Sequence, residues 1–96
     1  MLSAAEDQGK MSNREHVLEL LLKMVQVIVE HPKAVSIQTD YEDETIIFVV
    51  TVDRRDTGRL GLTGGRVAKS LHIIVSAMGM KLQKTMQVEI DKRRRN

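Results

Sequence analysis

Apolar residues recur at helical spacing from Val17 to Val29. Val17, Leu18, Leu20, Leu21, Met24, Val25, Ile28 and Val29 form one wide stripe. Ser12 followed by Glu15 has the spacing of a capping box, so the helix is expected to start near Asn13. Pro32 ends it, because the residue before a proline disfavours the α region. Val35 to Thr39 then alternates apolar and polar, which predicts a strand, and the run Asp40 to Glu44 reads as a polar turn. Thr45 to Val52 is β-branched and almost wholly apolar, the pattern of a strand covered on both faces at the centre of its sheet. Asp53 or Asp56 could cap a short helical turn ahead of the glycine-rich loop Gly61-Leu62-Thr63-Gly64-Gly65. Val67, Ala68, Leu71, Ile74, Val75 and Met78 predict a second long helix, with Gly79 as its C-cap. The facing of Ile73 and Val75, whether into the core or into a groove, stays open. Met86, Val88 and Ile90 alternate with Gln87 and Glu89 and predict a last strand with one wet face.

The predicted order is α-β-β-α-α-β. It describes an α+β domain in which helices cover one face of a three-stranded sheet. With 96 residues the chain has room for one such domain, read here as residues 13–91. Residues 1–12 lack periodicity and are expected to be a flexible N-terminal segment, and 92–96 form a basic C-terminal tail. No run approaches the roughly 18 apolar residues of a membrane span. The polar start has no apolar core of a signal peptide, so a cytoplasmic protein without membrane contact is expected.

Composition removes whole classes of chemistry. There is no cysteine, hence no disulfide framework and no thiol nucleophile or thiolate metal site. His16, His31 and His72 do not fall at metal-ligand spacing. Asp40, Glu42, Asp43 and Glu44 lack the spacing and glycine of a calcium loop, and no metal or cofactor is expected. His72 lies one step from the apolar stripe with no carboxylate close in sequence, which reads as a surface or half-buried histidine rather than a catalytic one. Nothing assembles into a nucleophile and base, and no enzyme is expected. Charge, by contrast, is unevenly placed. Residues 1–52 carry four basic and nine acidic side chains, whereas 53–96 carry eleven basic and four acidic. Such clustering points to a basic face in the second half and to a polyanionic partner.

The glycine loop is where that charge could act. Glycines let a backbone come close to a ligand, and the N-terminus of the helix behind them offers free amides and a partial positive charge. Arg66 and Lys69, three apart at the start of that helix, add cations, so the loop suits a phosphate. It is not a Walker loop, because Ala68 stands before Lys69 where that pattern needs glycine. Arg54, Arg55 and Arg59 flank it upstream as further phosphate candidates.

The stretch Asp56-Thr57-Gly58-Arg59-Leu60-Gly61-Leu62-Thr63-Gly64-Gly65-Arg66-Val67-Ala68-Lys69-Ser70-Leu71 resembles the signature of the small bacterial single-KH proteins, the KhpA family, and His31-Pro32 after an apolar helix is similar to that family's H/N-P. The resemblance spans about residues 14–91 and implies a type II KH domain. It further implies single-stranded RNA as ligand, a place in the cytoplasm, an RNA-chaperone role without catalysis, and pairing as a homodimer or with a larger KH/Jag-type partner. Carried over residue by residue, the RNA site comprises Gly61, Leu62, Thr63, Gly64, Gly65, Arg66 and Lys69, joined by Arg59, Arg54 and Arg55. Two registers of the GxxG loop are open. Without a gap its first glycine falls on Leu62; slipped by one residue, Gly61-Leu62-Thr63-Gly64 supplies the motif and Gly65 is extra. In both, the middle positions lack a basic residue, which admits a second reading: a KH-fold interaction or dimerisation module with weakened or lost RNA binding.

Overall fold

A computed structural model describes residues 12–57 and 65–91. In chain order these form helix α1 (Asn13–Ile28), a 3-10 turn (Pro32–Ala34), strand β1 (Ser36–Glu42), strand β2 (Thr45–Thr51), a second 3-10 turn (Arg54–Asp56), helix α2 (Arg66–Lys81) and strand β3 (Thr85–Ile90). The sheet order is β1-β2-β3, with β1 antiparallel and β3 parallel to the central β2. This is the expected α+β arrangement. The parallel pairing requires a crossover, and α2 is the element that returns the chain.

Local chemistry accounts for most element ends. Ser12 caps α1: its hydroxyl accepts from the Glu15 N–H, and the Glu15 carboxylate accepts from the Ser12 N–H in return. The helix stops at Ile28, with Val29 already extended, four residues ahead of Pro32. β1 runs further than its sequence suggests. Asp40, Tyr41 and Glu42 belong to the strand, and Glu42 pairs with Thr45, so only Asp43 and Glu44 form the turn. Asp43 takes φ 58°, a left-handed conformation that aspartate tolerates better than most residues. The acidic run is therefore a strand edge closed by a tight hairpin.

Alternation along the strands sorts the sheet into two faces. Ile37 and Thr39 of β1, Ile46, Phe48 and Val50 of β2, and Met86, Val88 and Ile90 of β3 share one face by register. Val17, Leu21, Val25 and Val29 from α1, with Leu71 and Val75 from α2, close over it to make the core. The other face holds Gln38, Asp40, Glu42, Gln87 and Glu89 around Ile47 and Val49. Ile47 is buried there without joining the main core, as expected of a central strand flanked by neighbours on both sides.

Gly79 is not a C-cap. It lies inside α2, buried, and the helix continues to Lys81 with Leu82 as the cap; the left-handed residue after the helix is Gln83, at φ 62°. The glycine serves packing. A Cβ there would stand 2.6 Å from the Lys84 carbonyl oxygen and 3.1 Å from the Met86 side chain. That carbonyl cannot easily yield, since the Lys84 N–H donates to the Gly79 carbonyl at 2.8 Å and β3 begins one residue later. Gly79→Ala gains about 1 kcal/mol of helix propensity but forces an overpacking that typically costs about 1–3 kcal/mol. A net loss of up to about 2 kcal/mol is expected, read as a lower urea midpoint at unchanged slope.

Candidate nucleic-acid interface

α2 presents three differently used faces. Leu71, Val75 and Gly79 point into the core. Ala68, Lys69, His72 and Ile73 line a shallow groove of about 280 Å³ whose opposite wall is Val88 on the edge strand β3. Arg66, Val67, Ser70, Leu71 and Ile74 line a second, more apolar groove of about 480 Å³ shared with Met24, Val27 and Ile28 of α1. The ambiguity over Ile73 and Val75 is thereby resolved. Val75 is fully buried, while Ile73 is 66% exposed along the first groove.

The end of the glycine loop is described and its middle is not. Gly65 is the N-cap of α2, half-buried and extended, and contributes no side chain to the first-turn amides. Arg66 and Lys69 are both exposed and flank that turn, Arg66 beside the α1 groove and Lys69 beside the β3 groove. They sit on neighbouring faces rather than side by side in one groove. Arg59, Gly61, Leu62, Thr63 and Gly64 lie outside the described residues, and with them the register of the GxxG loop.

Arg54 and Arg55 are placed apart from these two. They line a third depression with Ala34, Val52 and Asp53. Arg55 is already engaged, its Nε donating to one Asp53 oxygen at 2.8 Å and its NH2 to the other at 2.9 Å. Asp53 is also the cap of the 3-10 turn, accepting from the Arg55 N–H at 2.8 Å. The Arg55 side chain and backbone together hold its carboxyl far below the usual carboxylate range. Arg54 carries the exposed charge of this depression.

Sequence reasoning missed the most deeply placed polar group. Asp56 is 1% exposed and reaches back to the turn that ends α1. Its carboxylate accepts from the Glu30 N–H at 3.1 Å and from the His31 N–H at 3.0 Å, and His31 Nδ1 lies 2.9 Å away. A carboxylate only accepts, so Nδ1 carries the proton in this contact. Burial pushes the Asp56 carboxyl up, but the Glu30 amide, the His31 ring and the His31 amide together outweigh it and leave it below its ordinary value of 3.8. This pairing ties the end of the second 3-10 turn to the turn that ends α1. The two halves of the signal, His31-Pro32 and Asp56-Thr57-Gly58, stand 25 residues apart, and neither announces the other.

Among the described residues no group of histidine and acidic side chains could hold a metal ion, and no helix is long and apolar enough to cross a membrane.

A family model, the KH domain of KhpA/KhpB, matches residues 18–90. The chain is 35% identical to the RNA-binding protein KhpA of Listeria monocytogenes over 72 residues, covering 75% of this chain and 95% of that protein. It is 30% identical to the RNA-binding protein KhpA of Bacillus subtilis over 76 residues, 79% of this chain and 94% of that one. Against KhpA of Thermotoga maritima it is 35% identical over 71 residues, 73% and 95% of the two chains. No solved structure matches it. The family is one of KH-domain proteins and not of enzymes. A model match over most of the domain, near-complete coverage of these relatives, and a three-stranded mixed sheet covered by two long helices agree: the chain belongs to the KhpA/KhpB family of KH-domain proteins.

Proposed function

We propose that this protein holds single-stranded RNA across the N-terminal half of α2, without catalysis and in the cytoplasm, with bases against the α2–β3 groove and phosphates at Arg66, Lys69 and the glycine loop. The observation that carries this is the pairing of an open apolar wall with a cation at its rim. Ile73, 66% exposed, and Val88 offer an apolar surface to a base, and Lys69 lies beside them. The first-turn amides of α2 add a partial positive charge at the same end. Only two aromatic residues occur in the chain, and Phe48 is wholly buried, so base contacts rest on aliphatic surface rather than on ring stacking.

The test is binding of pooled, labelled single-stranded RNA followed by fluorescence polarisation against salt. Each phosphate contact on a single strand contributes about 0.7 to the log–log slope. Arg66→Ala with Lys69→Ala is expected to weaken binding and to flatten the slope by about 1.4. Arg54→Ala, in the separate depression, should change the slope by less than half of that. An unchanged slope in the double variant would remove these residues from the site.

A second reading is pairing with another copy or with a larger KH/Jag-type protein. It is favoured by the apolar groove between α1 and α2, where Val27 is 85% exposed and Ile74 41%. The two readings are compatible, since that groove and the β3 groove lie on different sides of α2. A purely monomeric protein at high concentration in sedimentation would exclude self-pairing.

A further inference from the structure

We infer that His72 makes the RNA grip of this protein acid-sensitive: once protonated, its imidazole joins Lys69 in holding a phosphate over the α2–β3 groove. The inference deepens the RNA-binding reading above and rests on it. Sequence periodicity treats His72 as an ordinary surface residue, but the structure seats it, exposed, between Lys69 and Ile73 on the wall of the groove. Three residues after Lys69, it stands one helical turn further along the same wall. Histidine is the side chain that changes charge between pH 5 and 8. Neutral, His72 offers a phosphate one N–H; protonated, it offers a positive charge and two donors.

The surroundings leave this proton-dependent charge open to a ligand. Among the described residues Lys69 is the only other charged group lining the groove. β3 contributes Val88 to it, while the flanking Gln87 and Glu89 alternate to the opposite face of the sheet with Ile47 and Val49. A phosphate lying between Lys69 and His72 stabilises the imidazolium, and by linkage protonation then strengthens binding of the phosphate. The other two histidines are placed elsewhere. His16 is exposed in the first turns of α1, and His31 is engaged with the buried Asp56.

The experiment measures binding of a labelled oligouridylate, whose bases do not titrate in the range used, from pH 8 to 5.5 at constant ionic strength. The intact protein is expected to bind about fivefold more tightly at pH 5.5 than at pH 8, the scale of one added exposed ion pair, about 1 kcal/mol. His72→Gln should reduce that change to less than twofold, whereas His16→Gln should leave it intact. His72→Arg should keep binding tight at both ends of the range. In parallel, oligouridylate should perturb the His72 ring resonances more at pH 5.5 than at pH 8. Measurable binding with no pH response, or a full response persisting in His72→Gln, would overturn the inference while leaving the groove as the RNA site. Failure of the intact protein to bind at any pH would overturn it together with the RNA-binding reading.

Discussion

Replacing Phe48 with alanine should take away a large part of the stability of this domain. Phe48 is the largest fully buried side chain, at 0% exposure, in the middle of the central strand. It stands between Thr39 on β1 and Val88 on β3, in the sheet face that both helices cover. Truncation of such a residue costs the transfer of the ring and the cavity it leaves, together about 3–5 kcal/mol. Domains of this size are stable by only about 5–15 kcal/mol, so the variant is expected to unfold about 12–40 °C earlier, at 4–8 °C per kcal/mol. With no tryptophan in the chain, far-UV circular dichroism during a thermal or urea titration is the suitable probe. Phe48→Leu keeps much of the volume and should lose less than about 1.5 kcal/mol. A loss of that small size in Phe48→Ala would mean that the helices collapse onto the sheet and refill the site.

The strand that carries Phe48 is legible because its pattern is local. Eight β-branched or apolar residues from Thr45 to Val52 fit only a covered central strand, and the burial of Ile47 on one face and Phe48 on the other shows why the pattern does not alternate. α1 was equally plain, since a capping box and a wide stripe are both local signals. The errors arose where a residue's role is set by a partner distant in sequence. The acidic residues Asp40 and Glu42 resemble a turn because the solvent-facing side of an edge strand imposes no apolar requirement. Gly79 resembles a C-cap because a glycine near a helix end usually is one. Its real cause, the Lys84 carbonyl and the Met86 side chain pressed against the helix, exists only after β3 has docked.

The candidate site divides in the same way. Arg66 and Lys69 were legible from their spacing behind the glycines, and both prove exposed at the start of α2. The groove was not, because it is made by two elements: Ile73 and His72 acquire meaning only when Val88 of β3 stands opposite them. Charge counting also does not show which cations share a surface. Arg55 lies in the basic half of the chain, but its guanidinium is committed to Asp53, and the depression it shares with Arg54 is a separate surface.

Asp56→Asn is expected to weaken the domain most at neutral pH and progressively less in acid. Asparagine can still accept from the Glu30 N–H through its carbonyl oxygen, but its NH2 now faces the His31 N–H, a donor that requires an acceptor. Either the amide rotates and abandons Glu30 instead, or two donors meet; both leave a buried polar group without a partner, a loss larger than that of the hydrogen bond alone. A fall of about 10 °C in midpoint at pH 7 is the expected scale. The sign of the pH dependence follows from the direction of the titration shift. The folded-state pKa of Asp56 lies below its ordinary value of 3.8, so its ionised form stabilises the fold at every pH above that value. This contribution fades as pH falls from about 4 through the folded pKa, where the native carboxylate must also take up its proton. The asparagine variant has no such proton to bind. Thermal midpoints of the two proteins should therefore differ by a constant amount from pH 7 down to about 5 and converge below pH 4. A gap that stays constant through pH 3 would show that the cost of the substitution lies in shape alone. Convergence would show that the charge on Asp56, held by the turn that ends α1, carries this contribution to stability.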